Sequence, residues 1–81
     1  MTRDKILEEI NDIFITTLDN ENLVIEETTQ AKDVDEWDSL MHVLLVDTIE
    51  KHFSVRFKAS EIQNWANIGA IVDSIQDKMS A

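Results

Sequence analysis

A serine hydroxyl stands between an acidic residue and an apolar run at Asp38-Ser39-Leu40. An aspartate in this position is typical of a helix start, because its carboxylate can accept a hydrogen bond from an unpaired N–H group of the first turn. No recognisable general base or Gly-Xaa-Ser-Xaa-Gly elbow accompanies the hydroxyl. Two interpretations follow: an ordinary first-turn serine, or an attachment point for an anionic group at the positive end of the helix dipole.

The composition limits what this hydroxyl could do. The chain has 81 residues, no cysteine, 43% hydrophobic residues and a net charge of −10. That length suits one small domain, expected over residues 1–81, and leaves little material for a deep catalytic cleft. An acidic surface repels nucleic-acid phosphates and anionic membranes. We therefore expect a cytoplasmic monomer with no signal peptide, membrane span, nucleic-acid partner or thiolate metal site.

Apolar residues recur at three- and four-residue intervals in three segments, which predicts three amphipathic helices. The first spans about residues 3–18 and is capped by Thr2. The second spans about Ser39–Phe53. The third follows a cap at Asn67, with an inward stripe of Ile68, Ile71, Val72, Ile75 and Met79.

A fourth, short helix is predicted around Glu61–Trp65, capped by Ser60, after an extended connector in which Val55 and Phe57 tuck inward. The predicted fold class is therefore all-α, a small four-helix bundle with a long loop between the first two long helices.

The periodicity of the second helix assigns its two faces. The inward face is predicted to hold His42, Leu45, Val46, Ile49 and Phe53. The outward side is predicted to hold Leu40, Met41, Leu44 and Asp47, with Val43 on a flank. Since residues 39–53 carry only two acids and one lysine, this helix offers partners an apolar surface with little charge.

The connection at residues 19–38 holds eight acids and a single lysine, and so most of the net charge. Long loops in compact domains are usually functional. Leu23, Val24, Ile25 and Trp37 are predicted to pin it to the core. Calcium-loop templates starting at Asp19 or Asp33 fail at the glycine or bidentate-acid position, so a solvated charged loop is favoured over a metal site.

His42 follows Ser39 by one helical turn, which raises the possibility of a serine–histidine nucleophilic pair. No orienting acid accompanies it, and the inward face favours a partly buried, hydrogen-bonded histidine instead. His52 is expected to be solvated. Trp37 and Trp65 could serve an acyl pocket or docking, but core packing is the favoured role of aromatic residues in so small a domain.

In its wider context the serine triplet resembles that of the acyl carrier protein family, which includes the carrier domains of polyketide and peptide synthetases. The resemblance covers essentially the whole chain, from the first helix and the acidic loop to the closing helix. It is carried by Asp38-Ser39-Leu40 and then by Val43, Leu45, Val46, Ile49, Glu50, Phe53 and the Val55–Phe57 stretch.

The resemblance implies a carrier rather than an enzyme. A phosphopantetheinyl transferase would attach 4′-phosphopantetheine from coenzyme A to Ser39, and acyl-loading and acyl-transfer enzymes would use its thiol. Asp38 would help to position the transferase and its Mg²⁺, while Leu40 would help to dock partners. Further docking residues are expected at Met41, Val43, Leu44, Asp47 and Glu50.

The chain departs from the usual family pattern at two places. Glu36-Trp37 stands where a glycine and a variable residue commonly precede the triplet, and the second helix lacks the usual series of acids. These departures favour a specialised biosynthetic pathway over housekeeping fatty acid synthesis. Two alternatives stay open: an aminoacyl or peptidyl carrier, and a non-covalent acidic adaptor for a basic partner.

Overall fold

The computed structural model describes residues 2–79, which fold into four α-helices without a strand. The helices are α1 (Arg3–Leu18), α2 (Ser39–Phe53), α3 (Ala59–Gln63) and α4 (Ile68–Met79), with one 3₁₀ turn (Ala31–Asp33) in the loop before α2. The predicted all-α bundle is thus confirmed. The expected domain of residues 1–81 includes Met1, Ser80 and Ala81, which lie outside the described residues. No helix within residues 2–79 has the length and apolar character needed to cross a membrane.

Local chemistry sets the ends of α1 and α2. Thr2 caps α1, its Oγ1 accepting the N–H of Lys5 at 3.2 Å. Both helices end on a residue with positive φ, Asp19 at 53° and Ser54 at 57°, whose N–H bonds back to a carbonyl of the last turn. These αL residues satisfy carbonyls that the helix end would otherwise leave unpaired.

One hydrophobic core lies between α1, α2 and α4. The largest fully buried side chains are Phe14, Ile6, Ile10, Leu45, Ile49, Ile68, Ile71, Ile75 and Val72. The long loop contributes Ile25 and Val34 to this core, and these two buried side chains anchor the loop to the helices. Val34 was not among the predicted anchors, because a lone valine between charged residues gives no periodic signal.

Two of the predicted side-chain directions in the loop and α4 are wrong. Val24 is exposed because it lies in an extended segment, where successive side chains point to opposite sides, and its neighbours Leu23 and Ile25 point inward. Asn11 holds this segment, its Oδ1 accepting the N–H of Ile25 at 2.7 Å. Met79 is exposed because it lies one turn beyond the last buried position of α4.

Helix α2 also faces the core slightly differently from the prediction. Its buried residues are Leu45, Ile49 and Phe53, spaced by four. Extending that spacing back by one turn reaches Met41, which is half-buried and packs against the core instead of pointing outward. His42 and Val46, predicted on the inward face, are half-buried at its edge.

The short helix begins and ends two residues earlier than predicted. Ser60 lies inside α3 rather than capping it, and Trp65 lies beyond its end. The capping role belongs to Glu61, whose Oε1 accepts the N–H of Lys58 at 3.2 Å. Glu61 also pairs with Lys78 at 3.0 Å, and this ion pair ties α3 to the last turn of α4.

The start of α4 is fastened to the acidic loop. The N–H of Ile68 donates to the carbonyl of Thr29 at 2.9 Å, and that of Gly69 donates to Glu27 at 2.8 Å. A Cβ on Gly69 would stand 3.1 Å from that Glu27 oxygen, so the glycine permits the close approach. Arg3 pairs with both Glu27 and Asp73, and these carboxylates raise the pKa of the guanidinium.

Candidate functional site

Asp38 forms the start of α2 as predicted. Its backbone is extended, with φ −106° and ψ −174°, and its Oδ1 accepts the N–H of Met41 at 2.9 Å. Its carbonyl accepts the N–H of His42 at 2.8 Å, the first bond of the helix ladder. The cap therefore fixes the position of the residue that follows it.

Ser39 is the first residue of α2 and is exposed. Within residues 2–79 the N–H groups of Ser39 and Leu40 donate to no acceptor. The oxygens of Asp38 instead accept the N–H groups of Met41 and His42, which come later in the same turn. The serine lies in an open depression of about 470 Å³ lined by Ala31, Trp37, Asp38, Ser39 and His42. A partner enzyme can thus approach the hydroxyl without any rearrangement of the core.

Trp37 positions the loop on the approach to the serine. Its ring packs edge-on against Phe14 of the core, with centroids 5.0 Å apart. Its Nε1–H donates to Nδ1 of His42 at 3.0 Å, and the two rings lie nearly coplanar with their centroids 5.9 Å apart. Trp65 also contacts this ring, edge-on to His42 at 6.3 Å. The predicted core role of both tryptophans holds in part, since each is half-buried against the core.

His42 is a half-buried histidine with a hydrogen-bond partner, as the sequence favoured. Burial lowers the pKa of its imidazole, so the ring is held in its neutral form. It makes no hydrogen bond to Ser39 among the described residues, and Trp37 occupies the Nδ1 atom. The geometry gives no serine–histidine nucleophilic pair. His52 is exposed as expected, yet its Nε2 lies 2.6 Å from a carboxylate oxygen of Glu9 on α1.

The outer face of α2 carries an apolar patch, here called the α2 patch and made of Leu40, Val43 and Leu44. These side chains are 68%, 64% and 45% exposed, which is unusual for large apolar residues on so small a domain. Met41, predicted as a docking residue, does not join them, because it packs against the core.

The two predicted acidic docking residues differ from each other. Asp47 is exposed and pairs with Lys51 at 3.0 Å. Glu50 is half-buried, and its Oε2 accepts the N–H of Phe57 at 2.8 Å, which holds the connector before α3. Both acids line a shallow groove of about 310 Å³ between α2 and α3, whose other lining residues are His42, Val43, Val46 and Ile62.

Sequence reasoning missed this groove and the Trp37–His42 bond. The groove needs Ile62, whose helix was placed two residues too late. The Trp37–His42 bond joins a loop residue to a helix residue five positions later, a spacing that no regular element predicts. Among the described residues, no three acidic or histidine side chains are grouped so that they could hold a metal ion.

Comparison with known proteins agrees with this geometry. Residues 8–75 match the family model described as a phosphopantetheine attachment site. The solution NMR structure of a holo acyl carrier protein from Geobacter metallireducens is similar, with a TM-score of 0.86 and 32% identity over 91% of this chain and 85% of that one. A comparison with curated proteins finds no match.

The fold and the matches define a carrier whose working group is a covalent prosthetic arm, rather than an enzyme. The chain belongs to the phosphopantetheine attachment family, as a carrier of the acyl carrier type. Its prosthetic group is covalent 4′-phosphopantetheine, and carriers of this type interact with a phosphopantetheinyl transferase and with biosynthetic enzymes.

The residues at the start of α2 fit such a group. The phosphodiester is an anion, and the N–H groups of Ser39 and Leu40 are free to donate to its oxygens at the positive end of the helix dipole. The first turn of α2 contains no acid, and the acids that immediately precede it in the chain are Asp35, Glu36 and the cap Asp38. The thiol of the arm supplies the thioester chemistry that a chain without cysteine lacks.

Proposed function

We propose that Ser39 carries the 4′-phosphopantetheine arm and that the protein transports acyl groups as thioesters between enzymes. The observation that carries this proposal is the exposed Ser39 hydroxyl at the first position of an Asp38-capped helix, with two free N–H groups beside it. We treat the chain as a single carrier domain, because the described residues share one core.

Asp38 has a role in loading rather than in holding the arm. Its carboxylate would repel a neighbouring phosphodiester, so it does not stabilise the finished product by charge. Its Oδ1 is used by the cap, while Oδ2 accepts no hydrogen bond among the described residues. Oδ2 is therefore free to contact the transferase and its Mg²⁺ during attachment.

Intact-protein mass spectrometry tests the attachment site. After incubation with coenzyme A and a broad-specificity phosphopantetheinyl transferase, the protein should gain the mass of one phosphopantetheine. Ser39→Ala should abolish this gain. Ser60→Ala is the matched control, since Ser60 is also exposed in the first turn of a helix. A full mass gain in Ser39→Ala would refute the proposal.

The α2 patch supports a specialised pathway over housekeeping fatty acid synthesis. Burying a leucine or valine side chain contributes about 1.5–3 kcal/mol, so partners that cover Leu40, Val43 and Leu44 gain most from apolar contact. The charge along α2 offers less, because Lys51 neutralises Asp47 and the Phe57 N–H engages Glu50.

Paired substitutions separate apolar docking from charge docking. Leu44→Glu should reduce the rate of acyl loading by the cognate enzyme at least tenfold, which corresponds to about 1.4 kcal/mol in the barrier. Asp47→Asn, one turn further along the same face, should change that rate less than threefold. The reverse ranking, a large effect at Asp47 and none at Leu44, would contradict apolar docking.

A further inference from the structure

The His42 ring contacts two tryptophans, which hold it in one orientation. The Trp37 ring lies beside it with an interplanar angle of 20°, and Trp65 meets it edge-on at 75°. The hydrogen bond from Trp37 Nε1 to Nδ1, at 3.0 Å, fixes the remaining rotation about the ring axis.

The same hydrogen bond fixes the tautomer. An indole N–H can only donate, so Nδ1 of His42 must accept and the proton of the neutral ring must lie on Nε2. Nε2 has no hydrogen-bond partner within residues 2–79. It is not sealed in the core, because no buried side-chain nitrogen or oxygen of the described residues lacks a partner. His42 therefore presents an oriented, solvent-accessible N–H donor.

The donor stands beside the proposed attachment site. His42 follows Ser39 by three residues, which places their Cβ atoms about 5–6 Å apart on the helix surface. Both residues line the depression around the serine, and His42 also lines the groove towards Ile62. His42 is thus the residue that the depression around the serine and the groove have in common.

We propose that His42 is a positioning residue whose Nε2–H donates to a phosphodiester oxygen of the arm on Ser39 and turns the arm towards the groove between α2 and α3. This inference rests on the proposed function. Trp37 acts through His42, because its indole N–H occupies Nδ1 and so keeps the proton of the neutral ring on Nε2.

Attachment of the arm should then change the titration of His42. In the unmodified protein burial lowers the pKa of the ring. A phosphodiester at hydrogen-bond distance to Nε2–H favours the charged imidazolium and so raises that pKa again. The added proton goes to Nδ1 and displaces the Trp37 N–H, which opposes the rise and limits its size. The other charged groups that face the ring from its surroundings are Asp38, Asp47 and Glu50. They are present before and after attachment, so they do not account for a difference between the two forms.

The test compares histidine-labelled protein before and after attachment of the arm with coenzyme A, by NMR titration. The pKa of His42 should rise by about one unit in the modified protein. The ³¹P signal of the phosphodiester should move with the same midpoint, because the titrating ring is its neighbour. His52 is the internal control, since it is bonded to Glu9 at the far end of α2 and its ring signals should be the same in both forms at any given pH.

Two variants assign the effect to the proposed contact. His42→Phe keeps an aromatic ring beside the tryptophans and should remove the ³¹P titration. Trp37→Phe leaves His42 in place but removes the indole donor, so the neutral ring can carry its proton on Nδ1 and leave Nε2 without one. Deprotonation of the ring would then break its bond to the phosphodiester, and the ³¹P change across the titration should be larger than in the unsubstituted protein. His52→Phe should leave the response unchanged. The Trp37 variant keeps the test decisive if His42→Phe fails to fold.

The outcomes separate this inference from the function on which it rests. Absence of the phosphopantetheine mass gain would refute the attachment at Ser39 itself. A normal mass gain with an unchanged His42 midpoint would overturn only the positioning role. A rise in the His42 pKa without any matching ³¹P titration would also overturn it, because the ring would then be responding to something other than the phosphodiester.

Discussion

The α1–α4 side of the molecule and the outer face of α2 use apolar side chains in opposite ways. Ile6 and Ile10 on α1 and Ile75 on α4 are fully buried in the shared core. Leu40 and Val43 on α2 are instead mostly exposed, within one turn of Ser39. The first arrangement stabilises the fold, while the second leaves apolar area uncovered. The contrast teaches that α2 packs one face against the core and leaves apolar side chains exposed on the other, the face that we propose partner proteins cover.

Truncating a core aromatic side chain on the α1–α4 side should cause the largest loss of stability. Phe14 is fully buried and supports Trp37, so Phe14→Ala should lower the free energy of unfolding by about 3–5 kcal/mol. Urea unfolding followed by circular dichroism measures this change. Val24→Ala is the control, because Val24 is 77% exposed and should alter stability by less than about 0.5 kcal/mol. Equal losses in the two variants would contradict the assignment of the core.

The two helix caps sharpen the comparison, because each accepts a first-turn N–H with a side-chain oxygen but only Asp38 lies beside Ser39. Thr2→Ala and Asp38→Ala should each cost about 1 kcal/mol, since each leaves a first-turn N–H without its acceptor. Only Asp38→Ala should also slow attachment of phosphopantetheine, measured as mass gain against time. Equally slow attachment in Thr2→Ala would mean that general helix stability, rather than the residue at the serine, controls loading.

A smaller change in the free energy of unfolding should appear as the pH is lowered. Since burial lowers the pKa of His42 in the fold, the unfolded chain binds its proton first, and stability should decline as the pH falls below the unfolded value of about 6.5. His42→Phe should flatten this part of the profile. Glu61 adds a separate loss at lower pH, because Lys78 lowers its pKa and the advantage disappears as the carboxylate is protonated. Urea unfolding at a series of pH values measures both, and an unchanged slope in His42→Phe near pH 6 would contradict the first.

Much of the fold follows from the sequence because three helices repeat their apolar residues regularly. The bounds of α1 and α2 and the caps Thr2 and Asp38 were correctly predicted for that reason. Prediction was poorer where a single contact determines where a helix begins or whether a loop residue is buried. The start of α3 depends on the Glu61 side chain reaching back to Lys58, and the burial of Val34 depends on the path of an aperiodic loop.

The candidate site also has a part that the local sequence predicts and a part that depends on packing between elements. The exposed serine and its aspartate could be recognised from their neighbours in the chain, because a helix start is a local arrangement. The interior position of Met41 could not, since it depends on which of two adjacent stripes of α2 turns towards α1. The Trp37–His42 bond and the groove beside Ile62 join different elements, and only the assembled bundle brings them together.

The hydrogen bonds from Ile68 and Gly69 to the acidic loop set an order of events during synthesis. A ribosome extends the chain from its amino end, so the loop and α2 emerge before the segment that supplies these two donors. Until α4 has left the exit tunnel, the carbonyls of Glu27 and Thr29 lack their partners and the core lacks one of its walls. Newly made chains should therefore become substrates for the transferase only after α4 has left the exit tunnel.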